Sequence, residues 1–378
     1  MQYSFSDEQE QFRDIVSRFM REKSPSSEVR RWMETADGYD LKVWQQMNRE
    51  LGLSALAIPE AYGGQGFGFV ELGIVLEEMG RYLVCTPFLS SAVLAGHAIL
   101  NAGSESQKLA LLPRITSGEV IATLAVSEAQ GSWQADDIEM LATETQTGFS
   151  LTGMKKFVSD GMSADLIVIA ALVKNDSGKT RPAFFTIKNT ADGFTRRAVE
   201  SMDKSRKLAV LELKEVDAEL LGDPFSEEGS QAVSRTICQG AVALANEMVG
   251  GCQYLLESAV EYAQLRMQFG RSIGSFQAVK HMCADMLLEV ELAKSAAYQA
   301  AQAASENDPE FPAIASLAKA CVSETYIRTA ATCIQIHGGI GFTWDNDTHL
   351  WFKRAKSSEE FLGGPTKHRE LLMQCWGV

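Results

Sequence analysis

The sequence predicts an α+β multidomain protein in which a β domain separates two helical regions. Apolar residues recur at helical spacing over residues 6–116, a pattern that places them on one face of each helix. Short apolar segments bounded by turn residues follow over residues 120–213, and long helical segments resume at about residue 226. We therefore expect three parts: an N-terminal helical domain (1–118), a middle β-sandwich or barrel-like domain (119–225) and a C-terminal four-helix bundle (226–378).

The N-terminal domain begins with a helix whose start is capped by its own side chains. Ser6 and Gln9 have the spacing of a capping box, in which each side chain bonds the other residue's backbone N–H. A second helix is predicted from about Leu41, and a glycine-containing loop at 59–66 precedes a longer helix. The apolar face of this longer helix is formed by Leu72, Val75, Leu76 and Met79.

The middle domain consists of predicted strands. Its apolar runs are short, and turn residues such as Gly148 and the cluster at 175–178 separate them. The predicted strands cover 120–126, 149–153, 166–172, 182–187 and 208–213.

The C-terminal region contains four long apolar segments that fit a helical bundle. They cover 229–265, 276–306, 309–337 and 366–375. The second segment has helical periodicity in Val279, Met282, Cys283, Met286, Leu287 and Val290.

Composition excludes several classes of protein. The chain has 378 residues, of which 46% are hydrophobic, and a net charge of −14, which argues against a nucleic-acid partner. Because the N-terminus is acidic and has no apolar core segment, we expect no signal peptide, and no apolar run is long enough to span a bilayer. The seven scattered cysteines form no CxxC pair, which predicts buried free thiols in a reducing, cytoplasmic location. No metal-ligand cluster is found, so we expect no metal.

Paired glycines end the third long helical segment of the bundle. Gln335 precedes Gly338 and Gly339, and the segment 354–364 follows with a second glycine pair. Because glycine has no Cβ, its backbone N–H can approach an anionic ligand closely. Taken alone, these glycines are equally consistent with a simple helix C-cap.

Further motifs occur upstream in a fixed order. Arg266, two residues and Phe269 end the first long helix of the bundle, and Gln277 opens the second. The β domain contains Leu-Ala-Val-Ser-Glu at 124–128 and Gly-Met-Lys-Lys-Phe-Val-Ser-Asp-Gly at 153–161. Together with the glycine motif, these segments resemble the signature motifs of the acyl-CoA dehydrogenase flavoproteins, over essentially the whole chain.

The resemblance implies an FAD site built by two chains. In the family, the arginine that corresponds to Arg266 reaches the pyrophosphate. The phenylalanine that corresponds to Phe269 lies against the cofactor of a neighbouring subunit. The glutamine at Gln277 contacts the adenosine half. The residues at Gln335, Gly338 and Gly339 close over the same diphosphate from the partner chain, which implies an obligate oligomer.

The resemblance also assigns residues of the β domain to the flavin ring. Val126 and Ser127 match the family's Val-Thr, with serine in place of threonine. Phe157 takes the place of the tryptophan that covers the ring, and Ser159 takes that of the threonine that donates near N5. Both substitutions keep the chemistry that the ring needs, an aromatic face and a hydroxyl.

The expected reaction needs a carboxylate base beside the flavin, and neither usual position supplies one. The family removes a Cα proton from an acyl-CoA thioester while flavin N5 takes a hydride from Cβ. The resemblance aligns the usual C-terminal glutamate with Leu362, whose backbone N–H can still polarise the thioester carbonyl. A second family position for the base falls near Gly240, which also lacks a carboxylate.

Glu247 is the candidate base in this chain. It is the only charged residue between Thr236 and Leu256, and a carboxylate buried in an apolar helix is retained either for catalysis or for an ion pair. The alternative for Glu247 is therefore a buried pair with a lysine or arginine of the bundle. Glu359 and Glu360 are weaker candidates, and one of them is expected to cap the helix or to pair with His368 or Arg369.

The leading interpretation is an FAD-dependent acyl-CoA dehydrogenase. Its implied partners are a non-standard acyl-CoA substrate, either branched or ring-bearing, and an electron-transfer flavoprotein as electron acceptor. The chain is also expected to assemble with other subunits, in a homodimer, a homotetramer or a heterotetramer with a related chain. The alternatives are an FAD-holding, non-catalytic subunit of a heteromeric dehydrogenase, a flavin monooxygenase of the same fold, and a binding protein without cofactor.

Overall fold

The structure is a computed structural model that describes residues 5–146, 148–175 and 177–378. Within these ranges the α-helices are α1 (Asp7–Lys23), α2 (Ser26–Met33), α3 (Leu41–Arg49), α4 (Phe69–Arg81), α5 (Gly96–Ala102), α6 (Glu105–Thr116), α7 (Ala232–Leu265), α8 (Gln277–Glu306), α9 (Phe311–His337), α10 (Thr348–Glu360) and α11 (Pro365–Cys375). The strands are β1 (Ala122–Ala125), β2 (Ala142–Thr145), β3 (Gly148–Ser159), β4 (Leu166–Lys174), β5 (Thr180–Lys188), β6 (Phe194–Val199), β7 (Leu208–Leu220), β8 (Met267–Gln268) and β9 (Arg271–Ser272).

The chain divides into two compact units. The first, called the helical unit, contains the residues up to Arg31, Phe69–Val84 and Ala241–Val378. The second, called the β unit, contains Trp32–Gly68 and Cys85–Gly240. The three domains expected at 1–118, 119–225 and 226–378 stay a prediction.

The helical unit is built from long amphipathic helices. The predicted capping box at α1 is present, because Ser6 and Gln9 bond each other's backbone N–H. One face of α8 is buried, with Met286, Val290 and Ala293 among its core residues. The four predicted bundle helices correspond to α7, α8, α9 and α11, and α10 is an additional helix that contains the residues before Leu362.

The β unit contains a seven-stranded sheet in which the strands lie in the order β1-β4-β5-β7-β3-β2, with β6 also paired to β7. The long strand β7 pairs with β3, β5 and β6, and all of these pairings are antiparallel. Apolar side chains such as Leu151, Ile167 and Phe185 form its core. The predicted strands are present, but β2 and β6 were not predicted, because their mostly polar sequences form strands through backbone pairing with β3 and β7.

Two smaller expectations concerned buried cysteines and the absence of a membrane-spanning helix. All seven cysteines are free thiols. Only Cys252 and Cys333 are buried, so the predicted burial is wrong for the other five. Among the described residues, none of the helices combines the length and the apolar character needed to cross a membrane.

Candidate active site

The end of β1 and the middle of β3 lie side by side in the β unit. Val126 and Ser127 follow β1 directly and are buried. The Lys156 N–H donates to the Ser127 carbonyl at 2.8 Å, which joins the two segments. The Ser127 hydroxyl is buried and has no hydrogen-bond partner among the described residues. A buried hydroxyl without a partner is destabilising, so this atom is available for a ligand.

Phe157 presents its ring from an irregular part of β3. The pairing of β3 with β7 shifts register between Lys155 and Val158, and Phe157 has a φ of +56°. L-residues rarely adopt this left-handed conformation, which costs about 1–2 kcal/mol. The ring is 41% exposed. The irregular pairing of β3 therefore leaves a large aromatic surface exposed. The family resemblance predicts that this surface covers the flavin ring.

The Ser159 hydroxyl donates to a carboxylate in this structure. Its Oγ lies 3.1 Å from Asp160 Oδ2, and Ser90 Oγ donates to the same oxygen at 2.6 Å. A hydroxyl has one proton and two lone pairs. With its proton directed to Asp160, Ser159 keeps acceptor capacity for a ligand N–H.

A buried ion pair lies close to Phe157 in the sequence of β3, and its role was not predicted. Lys155 is fully buried, and its Nζ lies 2.6 Å from Glu128 Oε1 and 3.0 Å from the Val126 carbonyl. Burial lowers the pKa of Lys155 to about 8, although the contact with Glu128 acts in the opposite direction. Burial raises the pKa of Glu128, but hydrogen bonds from Lys155, Met140 and Glu139 outweigh burial and lower it overall. The sequence signal for this ion pair was a lysine in a strand whose neighbouring residues include Met154 and Phe157.

The predicted diphosphate residues lie at exposed positions of the helical unit. Arg266 follows α7, Phe269 is 90% exposed with a φ of +54°, and Gln277 begins α8. Gln335 lies in the last turn of α9. Tyr262 stacks on His337 with ring centroids 4.3 Å apart, so the C-terminal ends of α7 and α9 are neighbours.

The glycine pair after α9 leaves open space above the backbone. Gly338 has a φ of +65°, and a Cβ built on Gly338 or Gly339 would meet nothing within 4 Å. Such a backbone can approach phosphate oxygens directly. These donors fit the diphosphate of FAD. In the β unit, taken by itself, the unpartnered Ser127 hydroxyl and the exposed Phe157 side chain fit its flavin ring.

The loop after α10 holds a leucine in an unusual conformation. Leu362 is fully buried and has a φ of +62°. Its carbonyl accepts a hydrogen bond from His368 Nε2 at 3.0 Å, whereas its N–H has no acceptor in the described part of the chain. Buried backbone N–H groups are almost always paired. The unpaired donor at Leu362 therefore identifies a position where an acceptor from outside the chain can bind.

Glu247 lies in a buried ion pair. Its Oε1 is 2.7 Å from Arg354 Nη1, and the side chains are 7% and 4% exposed. The structure therefore contains the buried ion pair with a basic residue that was the alternative interpretation of Glu247.

The expected pairing of Glu359 or Glu360 with His368 or Arg369 differs from the structure. Glu359 pairs with Lys356 at 2.9 Å, and Arg369 pairs with Glu324 at 2.6 Å. His368 instead binds the Leu362 carbonyl. Neutral His368 prefers a carbonyl acceptor within the turn because it needs no countercharge.

Comparisons with known proteins give matches over nearly the whole chain. The family profile described as acyl-CoA dehydrogenase, N-terminal domain, matches residues 6–119, and that of the C-terminal domain matches residues 227–374. The chain is 31% identical over 371 residues to a Mycobacterium tuberculosis protein described as acyl-CoA dehydrogenase IpdE2, with 98% of each chain covered.

Two solved structures contain chains that are similar to this one. The ChsE4-ChsE5 complex from Mycobacterium tuberculosis contains a chain that is 26% identical, with a TM-score of 0.88 and coverage of 99% of this chain and 98% of that one. A variant described as Tcur3481-Tcur3483 steroid ACAD contains another, 26% identical, with a TM-score of 0.88 and 98% of each chain covered.

Proposed function

The chain belongs to the acyl-CoA dehydrogenase family of FAD-dependent oxidoreductases, and on this basis we propose that it acts in the α,β-dehydrogenation of an acyl-CoA thioester. The observation that carries the proposal is the buried N–H of Leu362, which has no acceptor among the described residues. A thioester carbonyl is the acceptor that the reaction would place at such a donor.

The residues of this chain would then have distinct roles. The Leu362 N–H donates to the thioester oxygen, where negative charge develops as the Cα proton leaves, and so stabilises the transition state. Bound FAD would supply the acceptor for the hydride from Cβ. Val126 and Ser127 would bind the edge of the ring, Phe157 would cover its face, and the Ser159 hydroxyl would lie near N5. Arg266, Phe269, Gln277, Gln335, Gly338 and Gly339 hold the diphosphate and adenosine.

Glu247 is the candidate proton acceptor within this chain. It is the buried carboxylate on α7, in the same unit as Leu362. A base must reach the Cα proton within hydrogen-bond distance, and the contact with Arg354 holds one carboxylate oxygen in place. Glu247 can act as the base only after its carboxylate leaves Arg354.

A second candidate function is favoured by that same contact. With Leu362 at the usual base position and Glu247 bound to Arg354, the chain would hold FAD and the thioester in a heteromeric dehydrogenase whose related partner subunit supplies the carboxylate. The ChsE4-ChsE5 complex, which contains a similar chain, supports this assembly.

The acyl group proposed for this site is ring-bearing. The loss of both usual base positions favours an unusual substrate, and one similar protein is described as a steroid ACAD. We further propose an electron-transfer flavoprotein as the electron acceptor.

Anaerobic titration of the purified FAD-loaded protein with acyl-CoA thioesters tests these proposals. The panel should include straight-chain, branched and polycyclic acyl groups, with flavin bleaching as the readout. Bleaching by the chain alone that is lost in Glu247→Gln supports Glu247 as the base. Bleaching only after co-purification with a related subunit, unchanged in Glu247→Gln, supports the heteromer. A protein that takes up no FAD, or that consumes oxygen with reduced flavin and no acyl-CoA, overturns the dehydrogenase proposal.

A further inference from the structure

A fully buried lysine lies beneath the loop that contains Leu362. Lys319 is on α9 and has no exposed surface. Its Nζ lies 3.1 Å from the Ser358 carbonyl, 2.9 Å from the Glu359 carbonyl and 3.0 Å from the Gly363 carbonyl. Ser323 Oγ, one turn along α9, lies 3.1 Å from the same nitrogen. Burying an ammonium is costly unless it is hydrogen-bonded. Here the three carbonyls that it contacts belong to residues 358–363.

The carbonyls bound by Lys319 lie on both sides of Leu362. Ser358 and Glu359 are in the last turn of α10, where helix carbonyls lack intrahelical partners. Gly363 is the residue after Leu362, and its carbonyl reaches the same nitrogen. One ammonium therefore joins the chain before the turn to the chain after it. This closure accounts for the left-handed conformation of Leu362, which an isolated leucine would avoid by about 1–2 kcal/mol.

His368 binds the same turn from α11. Its Nε2 is 3.0 Å from the Leu362 carbonyl and would lie 3.2 Å from a Cβ built on Gly363. Burial, with the neighbouring charge of Lys319, lowers the pKa of His368 to about 4. The imidazole is thus neutral at pH 7 and donates through Nε2–H. Its Nδ1 has no partner among the described residues.

We propose that Lys319 and His368 are positioning residues that fix the backbone of 361–364, so that the Leu362 N–H points at the thioester carbonyl. This inference rests on the proposed function. Neither residue touches the reacting atoms; each acts through a backbone carbonyl adjacent to the donor. A turn serving only to connect α10 and α11 would need no strained, buried leucine with an unpaired N–H.

The test compares Lys319→Met with Lys367→Met in the FAD-loaded full-length protein. Lys367 is 39% exposed on α11 and pairs with Glu370, so its substitution controls for the loss of a lysine near the loop. The first readout is amide hydrogen exchange in the peptide that contains 361–364. The second is the infrared stretching frequency of the thioester carbonyl of ¹³C-labelled acetoacetyl-CoA, which hydrogen bonding lowers.

We expect Lys319→Met to speed exchange in this peptide by about tenfold or more, since the turn opens locally, and to lose at least about half of the carbonyl shift. Lys367→Met should preserve both. Unchanged exchange in Lys319→Met overturns the positioning role, as does faster exchange with an unchanged carbonyl shift. If the wild type binds acetoacetyl-CoA without any shift, the proposed carbonyl contact fails, while the exchange result still decides whether Lys319 fixes the turn.

His368 provides a second pair of variants if Lys319→Met does not fold. His368→Gln can still donate to the Leu362 carbonyl, whereas His368→Leu cannot. We expect the carbonyl shift to be retained in the glutamine variant and reduced in the leucine variant. Equal shifts in both variants overturn the role of His368.

Discussion

Glu247 on α7 and Arg354 on α10 form an ion pair with 2.7 Å between Oε1 and Nη1, and both side chains are almost entirely buried. The two residues are separated by 107 positions in the sequence. The pair therefore ties α10, and the Leu362 loop that follows it, to the longest helix of the chain.

Removal of one partner of this pair should be strongly destabilising. Glu247→Leu leaves Arg354 buried without its countercharge, which should lower the free energy of unfolding by about 3–5 kcal/mol. The double variant Glu247→Leu with Arg354→Met should recover most of this loss, since apolar residues can replace a buried pair. Chemical denaturation measures both.

The matched control is the Arg81–Glu257 pair in the same unit, which is partly exposed. Glu257→Gln should cost less than about 1 kcal/mol. If Glu247→Leu and Glu257→Gln lowered the free energy of unfolding equally, the burial of the Glu247–Arg354 pair would not explain its contribution to stability.

Ser127→Ala should separate cofactor binding from folding. In the protein without FAD, removal of a buried hydroxyl that lacks a partner should leave stability unchanged or raise it slightly. FAD affinity should fall by about tenfold, the equivalent of one hydrogen bond. Fluorescence titration of FAD and denaturation of the FAD-free protein provide the two measurements.

Ser90→Ala is the contrasting variant for this prediction. Ser90 Oγ donates to Asp160 at 2.6 Å, so its loss should destabilise the FAD-free protein by about 1–3 kcal/mol. A Ser127→Ala protein that is destabilised as much as Ser90→Ala would contradict the assignment of Ser127 to a ligand.

Gly339→Ala should weaken FAD binding without disturbing the fold. An added Cβ at Gly339 meets nothing within 4 Å, so the stability of the FAD-free protein should change by less than about 0.5 kcal/mol. The methyl group would fill the space above the backbone, and we expect FAD affinity to fall by about tenfold or more.

Gly338→Ala provides the comparison, because Gly338 has a φ of +65°. It should also cost about 1 kcal/mol of folding stability. FAD affinity equal to that of the wild type in Gly339→Ala would exclude a close approach of the cofactor to this glycine.

His368 should make stability depend on pH in the acidic range. Its pKa is about 4 in the fold, below the ordinary value of 6.5, so the unfolded chain binds a proton more readily between these values. The contribution of His368 to stability is therefore present above pH 6.5 and is lost as the pH falls toward 4, by about 3 kcal/mol in all.

The variant His368→Gln should not have this dependence. The difference in unfolding free energy between wild type and His368→Gln should narrow as the pH is lowered from 7 to 4.5. His97 in the β unit has a similarly lowered pKa, and it cancels in this comparison because both proteins contain it. A difference that stays constant with pH would contradict a neutral, buried His368.

Local patterns were sufficient for most of the fold. Periodicity identified α7, α8 and α9 and the apolar strands, because the spacing of buried residues is a property of each segment. The strands β2 and β6 escaped prediction because they depend on partners elsewhere in the chain. The cofactor residues were assigned through the resemblance of their motifs to those of the family, and their roles stay predictions.

The sequence predicted the long helices and the apolar strands, indicated the family and contains no carboxylate at residue 362. Only the tertiary structure decided how the remaining charges are used. Glu247 was visible as the single charge of an apolar helix segment, but its partner Arg354 lies on a distant helix. Lys319 drew no notice in sequence because its acceptors are backbone carbonyls 39 to 44 residues away. Long-range pairing and the left-handed turn at Leu362 depend on which groups packing brings together, and no local pattern of residues contains that information.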